Sequence, residues 1–146
     1  MYVSRRFIGI VLLILLAGVA VFSMIEAKAT AAADEASKLL VVWTSGDREV
    51  ALKMVYMYTF NAKKNGWWNE VRFLVWGPSS KLLSEDAELQ DYIKKMKEEG
   101  IELLACKACA DSYGVSEKLE EMGIEVKYMG VPLTEMLKSD WTTITF

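Results

Sequence analysis

Cys106 and Cys109 stand three residues apart in a chain of 146 residues that has no other cysteine and no histidine. Nucleophilic or redox chemistry in such a chain runs most plausibly through sulfur. The apolar residues Ile101, Leu103, Leu104 and Ala105 follow a break at Gly100 and predict a buried strand. That strand delivers Cys106 where a helical turn should begin. A thiol there meets unpaired backbone N–H groups and the positive end of the helix dipole, and both favour the thiolate. Lys107 adds a nearby positive charge. Cys109 would lie about one turn into the helix, where that field has faded. Cys106 is therefore read as the nucleophile, and Cys109 as a resolving thiol or a core residue. Plain packing stands beside this reading, because cysteine is among the most buried residue types and a C-x-x-C alone is a weak signal.

The elements that would position these thiols alternate strand with helix. Residues 39–43 form an apolar run ended by Thr44, Ser45 and Gly46, which predicts a strand buried on both faces. Asp47 is placed to cap a helix over residues 48–65 that stops at Gly66. Its expected inner face is Ala51, Met54, Val55, Tyr58 and Ala62, with Leu52, Tyr56, Met57 and Phe60 spreading apolar surface further round. A helix so widely apolar is usually covered on more than one side, and a second subunit is the expected cover. Residues 71–76 predict the second strand, ended by Gly77, Pro78, Ser79 and Ser80, with a short helical turn over residues 81–84. Asp86 then caps an amphipathic helix with Leu89, Tyr92, Ile93 and Met96 on its stripe and Gly100 as its stop. After the cysteines come a short helix from Ser116 to Met122, a strand over 124–129, a break at Gly130, Val131 and Pro132, a last helical turn over 134–138 and a strand over 141–146. Five strands alternating with helices imply an α/β fold with a mostly parallel sheet, right-handed crossovers and helices on both faces.

The N-terminus reads differently. Arg5 and Arg6 precede residues 7–25, a run without charge, and small residues Ala27, Ala29 and Ala31 follow. This is the layout of a secretory signal, and the run is also just long enough to serve as an uncleaved anchor. Residues 1–33 are therefore expected to be a signal peptide or membrane anchor with a linker, and residues 34–146 the folded domain. Export to the periplasm or another extracytoplasmic space follows, with any membrane contact through this segment alone. Without its basic flank the domain is acidic, and no basic cluster with interleaved aromatics remains, so nucleic-acid binding is disfavoured.

In open α/β sheets the functional crevice lies beyond the carboxyl ends of the strands. The expected pocket is Trp43, Thr44, Ser45, Gly46, Trp76, Gly77, Lys107 and Gly130 around the two cysteines. Two tryptophans beside a thiol would exclude water, although either can equally be a core residue. The amides of Thr44, Ser45 and Gly46 suit an anion, a weak signal by itself. No glycine-rich nucleotide motif occurs, and two sulfurs without histidine leave half of a zinc shell unfilled, so neither cofactor nor metal is expected.

From residue 39 to residue 146 the chain resembles the DsrE-like family, which includes the DsrE, TusD and YchN types of sulfur-relay protein. The resemblance rests on the opening strand with Thr44, Ser45 and Gly46, on the spacing from Cys106 to Gly114 and Val115, and on Leu133, Thr134 and Glu135 with Thr145 and Phe146. It implies a three-layer sandwich with a five-stranded, mostly parallel sheet, assembled as a trimer or hexamer. It also implies a sulfane sulfur carried as a persulfide on Cys106 and handed to a thiol-bearing partner, with Cys109 matching a second cysteine found in some members. An exported member cannot serve cytoplasmic tRNA thiolation, so only the sulfur handling carries over. A dithiol–disulfide oxidoreductase and a non-enzymatic oligomeric binding module are the alternatives.

Overall fold

The computed structural model describes residues 37–146, which form one compact unit. The expected signal or anchor over residues 1–33 lies outside the described residues. Five strands, β1 (Lys38–Trp43), β2 (Glu70–Val75), β3 (Glu102–Cys106), β4 (Glu125–Lys127) and β5 (Trp141–Thr145), make one sheet in the order β4-β3-β2-β1-β5. Every neighbouring pair is parallel. The first three crossovers step the chain in one direction, and the fourth carries it back across to the far side of β1.

One face of this α/β sandwich is much thicker than the other. Leu39, Val41, Trp43, Val71, Phe73, Val75, Leu103 and Ala105 point into a large core beneath the helices of the first three crossovers. These helices are a continuous segment made of α1 (Arg48–Val50), a π-helical stretch (Ala51–Tyr56) and α2 (Met57–Lys64), followed by α3 (Pro78–Glu85), α4 (Ala87–Glu98), α5 (Lys107–Tyr113) and α6 (Ser116–Glu121). The alternate residues Leu40, Val42, Leu74, Leu104 and Cys106 face the other way, onto α7 (Gly130–Leu137) through Met129 and Met136. Because the side-chain period of a strand is two, Cys106 belongs to the thin face and Ala105 to the thick one.

The thin face is only half covered. Beyond α7 it continues as Arg72, Glu102 and Lys127 around a cleft of about 280 Å³ that Trp141 also lines. Arg72 donates from Nε to Glu102 at 2.6 Å and lies 4.4 Å over the Trp141 ring. The strands thus begin charged and solvated and end apolar under α7.

Asp47 and Asp86 cap their helices as the sequence predicts. The Asp47 carboxylate accepts from the amides of Glu49 and Val50, and that of Asp86 accepts from Leu89. Four elements differ from expectation. The short helical turn expected over residues 81–84 is a helix that already begins at Pro78, whose fixed φ suits a first turn. The π-helical stretch inserts a residue into the helical register, so Val55, Tyr56, Thr59 and Ala62 follow Ala51 into the core, while Met54 turns out and is 50% exposed. Tyr56 is then edge-on to Trp43 at 5.3 Å, and the Thr59 hydroxyl donates back to the Val55 carbonyl at 2.6 Å. Leu52, Tyr58 and Phe60 also pack against this core, so most of the surplus apolar surface is covered from within the chain. The fourth strand is three residues long rather than six. Gly130, Val131 and Pro132 are not a break but the first turn of α7, where a proline's missing N–H costs no helical bond.

Candidate functional site

The loops after β1, β2 and β3 meet at one end of the sheet. β1 and β2 are tied there by Ser79, whose buried hydroxyl donates to the Trp43 carbonyl at 2.6 Å and accepts from the Trp76 amide at 3.1 Å. The Trp76 amide also donates to the Trp43 carbonyl, at 2.9 Å. A Cβ on Gly46 would stand 3.3 Å from that of Pro78, so the first two loops touch where only a hydrogen fits comfortably. Gly77 has φ of +71° and ψ of −135°, a conformation open to glycine, and turns its N–H toward the sulfur of Cys109.

Cys106 is the last residue of β3 and the N-cap of α5. Its own backbone is extended while Lys107 begins the helix, which is the strand-to-helix junction that the sequence predicts. The side chain is 5% exposed among Leu104, Met129 and Met136, whereas Cys109 is half-buried on the same cluster. The two thiols are unbridged and pack on the same apolar cluster. Burial pushes the Cys109 thiol up, the neighbouring Cys106 raises it further, and the Gly77 amide offsets part of this.

Of the residues expected around the thiols, Trp76 and Gly77 join them. Trp76 packs half-buried on the cysteine cluster, and Gly77 supplies the amide. Trp43 does not. It is fully buried on the thick face, stacked on Phe73 at 6.0 Å, with its indole nitrogen lacking a hydrogen-bond partner among the described residues.

The anion cradle expected at Thr44, Ser45 and Gly46 is filled from within the chain. The Phe146 carbonyl accepts from the Thr44 amide at 2.8 Å, the Thr44 hydroxyl at 2.6 Å and the Ser45 amide at 3.3 Å. The Ser45 hydroxyl accepts from the Asp47 amide at 3.0 Å. Lys107 donates to Asp111 at 3.0 Å, a bond that raises its pKa and occupies the ammonium. Asp111 in turn is held low, first by the Ser116 hydroxyl and then by Lys107. Gly130 opens α7, exposed and with no atom within 4 Å of a Cβ built on it.

Met129, Leu133 and Met136 wall the cysteines from the α7 side. Their spacing is a helical stripe that the sequence contains, but it is interrupted by Pro132. Ser79 carried no such signal, because its burial follows from where β1 lies. No group of three or more potential metal ligands occurs among the described residues.

A family model described as the DsrE/DsrF-like family matches residues 27–146. Among solved structures, a conserved protein of unknown function from Bacteroides thetaiotaomicron superposes with a TM-score of 0.73 at 36% identity, covering 75% of this chain and 95% of its own. The YchN protein of E. coli superposes with a TM-score of 0.59 at 14% identity, covering 75% of this chain and 99% of its own. At that identity the second likeness speaks for the fold alone. No curated protein matches.

Proposed function

The chain belongs to the DsrE/DsrF-like family, and from that membership we propose that it carries a sulfane sulfur as a persulfide on Cys106 and passes it to a partner thiol. The observation that carries this reading is the junction of β3 and α5, where Cys106 ends the strand and Cys109, one turn on, packs on the same apolar cluster. Two thiols so placed beyond the carboxyl ends of the strands can take up a sulfur and pass it on by exchange. The Cys106 thiolate attacks the outer sulfur of a donor persulfide, R–S–SH. A new S–S bond forms on Cys106, the donor S–S bond breaks, and R–S⁻ leaves with the electron pair. An acceptor thiolate then attacks the terminal sulfur of Cys106–S–SH, takes it, and returns Cys106 to the thiolate. The sulfur changes partners in both steps with no net oxidation.

The same placement supports a role for Cys109. Its thiolate can attack the inner sulfur of the Cys106 persulfide, expelling HS⁻ and leaving a Cys106–Cys109 disulfide. The sulfane sulfur is reduced to sulfide and the two thiols are oxidised, so an external dithiol must reset the site. This is the dithiol–disulfide reading, here as the discharge of a carrier. We place the carrier outside the cytoplasm, on the basic and then apolar N-terminal segment, and as a homo-oligomer, a trimer or hexamer, as the family pattern implies.

Intact mass after exposure to polysulfide tests the assignment. The parent should gain sulfur, Cys106→Ser should not, and Cys109→Ser should gain it and hold it longer. Loss of loading in Cys109→Ser alone reverses the two roles. A parent that never loads is a binding module instead.

A further inference from the structure

The sheet has two edges, and they are built differently. β4 is three residues long, and its Glu125 and Lys127 are ion-paired at 2.9 Å. Short length and charge are the usual ways of blunting an edge against pairing. β5 has neither. Its sequence is Trp-Thr-Thr-Ile-Thr, uncharged, β-branched after the tryptophan, and free of proline.

The pairing of β5 with β1 fixes which backbone groups remain. Phe146 donates its N–H to the Val42 carbonyl at 3.0 Å, and its carbonyl accepts from Thr44 at 2.8 Å. Along a strand, inward and outward backbone groups alternate. Ile144 and Thr142 therefore bond to β1 as Phe146 does, while Trp141, Thr143 and Thr145 turn both N–H and C=O outward. No backbone partner for these three outward amides occurs among the described residues.

We propose that this edge pairs with β5 of a second copy of the chain, antiparallel about a two-fold axis at Thr143. In that register Thr143 exchanges two hydrogen bonds with its counterpart, and Trp141 exchanges two with Thr145 at each end, so all outward groups are used. A second copy fits better than a charged partner strand. An uncharged strand facing itself brings no like charges together, and pairs of β-branched residues across antiparallel strands are favourable. The pairing rests on the homo-oligomer reading above and sharpens it: a two-fold axis belongs to a dimer or hexamer and not to a simple trimer.

Proline at an outward N–H of an edge strand removes no bond within the monomer. Thr143→Pro and Thr145→Pro in the full chain should keep a cooperative melt and halve the mass seen by light scattering. Thr142→Pro removes a bond to β1 and should lower the melting temperature instead. Should the outward prolines fail to fold, cysteine trapping decides. The paired Cα atoms at Thr143 would be about 5.5 Å apart, within disulfide range. Thr143→Cys in a chain with Cys106→Ser and Cys109→Ser should then give a covalent dimer under mild oxidation, and Thr142→Cys should not. A monomer overturns both the pairing and the oligomer. A trimer, a folded Thr143→Pro of unchanged mass, or no trapped dimer overturns the pairing and leaves the oligomer standing.

Discussion

Cys106 and Cys109 pack on one apolar cluster, and the pKa of Cys109 answers both to Cys106 and to the Gly77 amide of the β2 loop. The two act in opposite directions on Cys109. Burial and Cys106 hold the proton on, and the amide stabilises the anion.

Removing Cys106 should therefore lower the Cys109 pKa. In Cys106→Ala, the pH midpoint for alkylation of Cys109 by iodoacetamide should move down, and its rate at neutral pH should rise. Peptide mass spectrometry across a pH series reads this directly. An unchanged midpoint means that Cys106 does not raise the Cys109 pKa.

Tyr56 gives a second pH signature. Its phenol is fully buried without a hydrogen-bond partner among the described residues, and burial pushes its pKa well above the usual tyrosine value. A raised folded pKa contributes stability that is complete below the unfolded value of about 10 and disappears as pH rises through the folded one. Tyr56→Phe should remove that part of the alkaline loss. It should also gain about 1 kcal/mol at neutral pH, because an orphan hydroxyl leaves the core. Urea melts at neutral and alkaline pH measure both, and a large loss of stability at neutral pH would show that the hydroxyl is satisfied in solution.

Asp86 governs the acid side. Its carboxylate accepts the Leu89 amide at 3.1 Å and takes Arg48 Nε at 2.6 Å, and these bonds, the amide first, hold its pKa below the usual range. The stability it contributes is present above the unfolded value of about 3.9 and falls as pH drops through the lowered one. Asp86→Ala should cost about 1 kcal/mol through loss of the cap. Asp86→Asn keeps the capping oxygen and should cost less, since exposed ion pairs contribute little. Equal losses in the two variants would put the weight on the charge.

Ser37–Phe146 forms one compact unit, and a chain lacking residues 1–33 is expected to stay soluble and unfold cooperatively. Insolubility or a broad, non-cooperative melt of the shortened chain would show that the domain needs the N-terminal segment. The full chain, expressed in bacteria, should fractionate outside the cytoplasm. Recovery in the cytosolic fraction counts against export.

The sequence by itself determined the alternation of strands and helices, the caps at Asp47 and Asp86, and the strand-to-helix junction at Cys106. Each is a local matter of periodicity, a side chain bonding amides two or three residues on, or an apolar run meeting a turn. Only the tertiary structure decided which side chains share a site. Trp43 and Trp76 both come at the ends of apolar strands, yet Trp43 fills the thick core and Trp76 joins the thiols. A strand buried on both faces carries no polar alternation to tell its faces apart. The amides of Thr44 and Ser45 look open in the sequence because the Phe146 carbonyl that occupies them lies about a hundred residues away. The π-helical stretch was hidden for a similar reason. Its extra residue puts Tyr56 against Trp43, Phe73 and Tyr92, three rings that only the packed fold brings together.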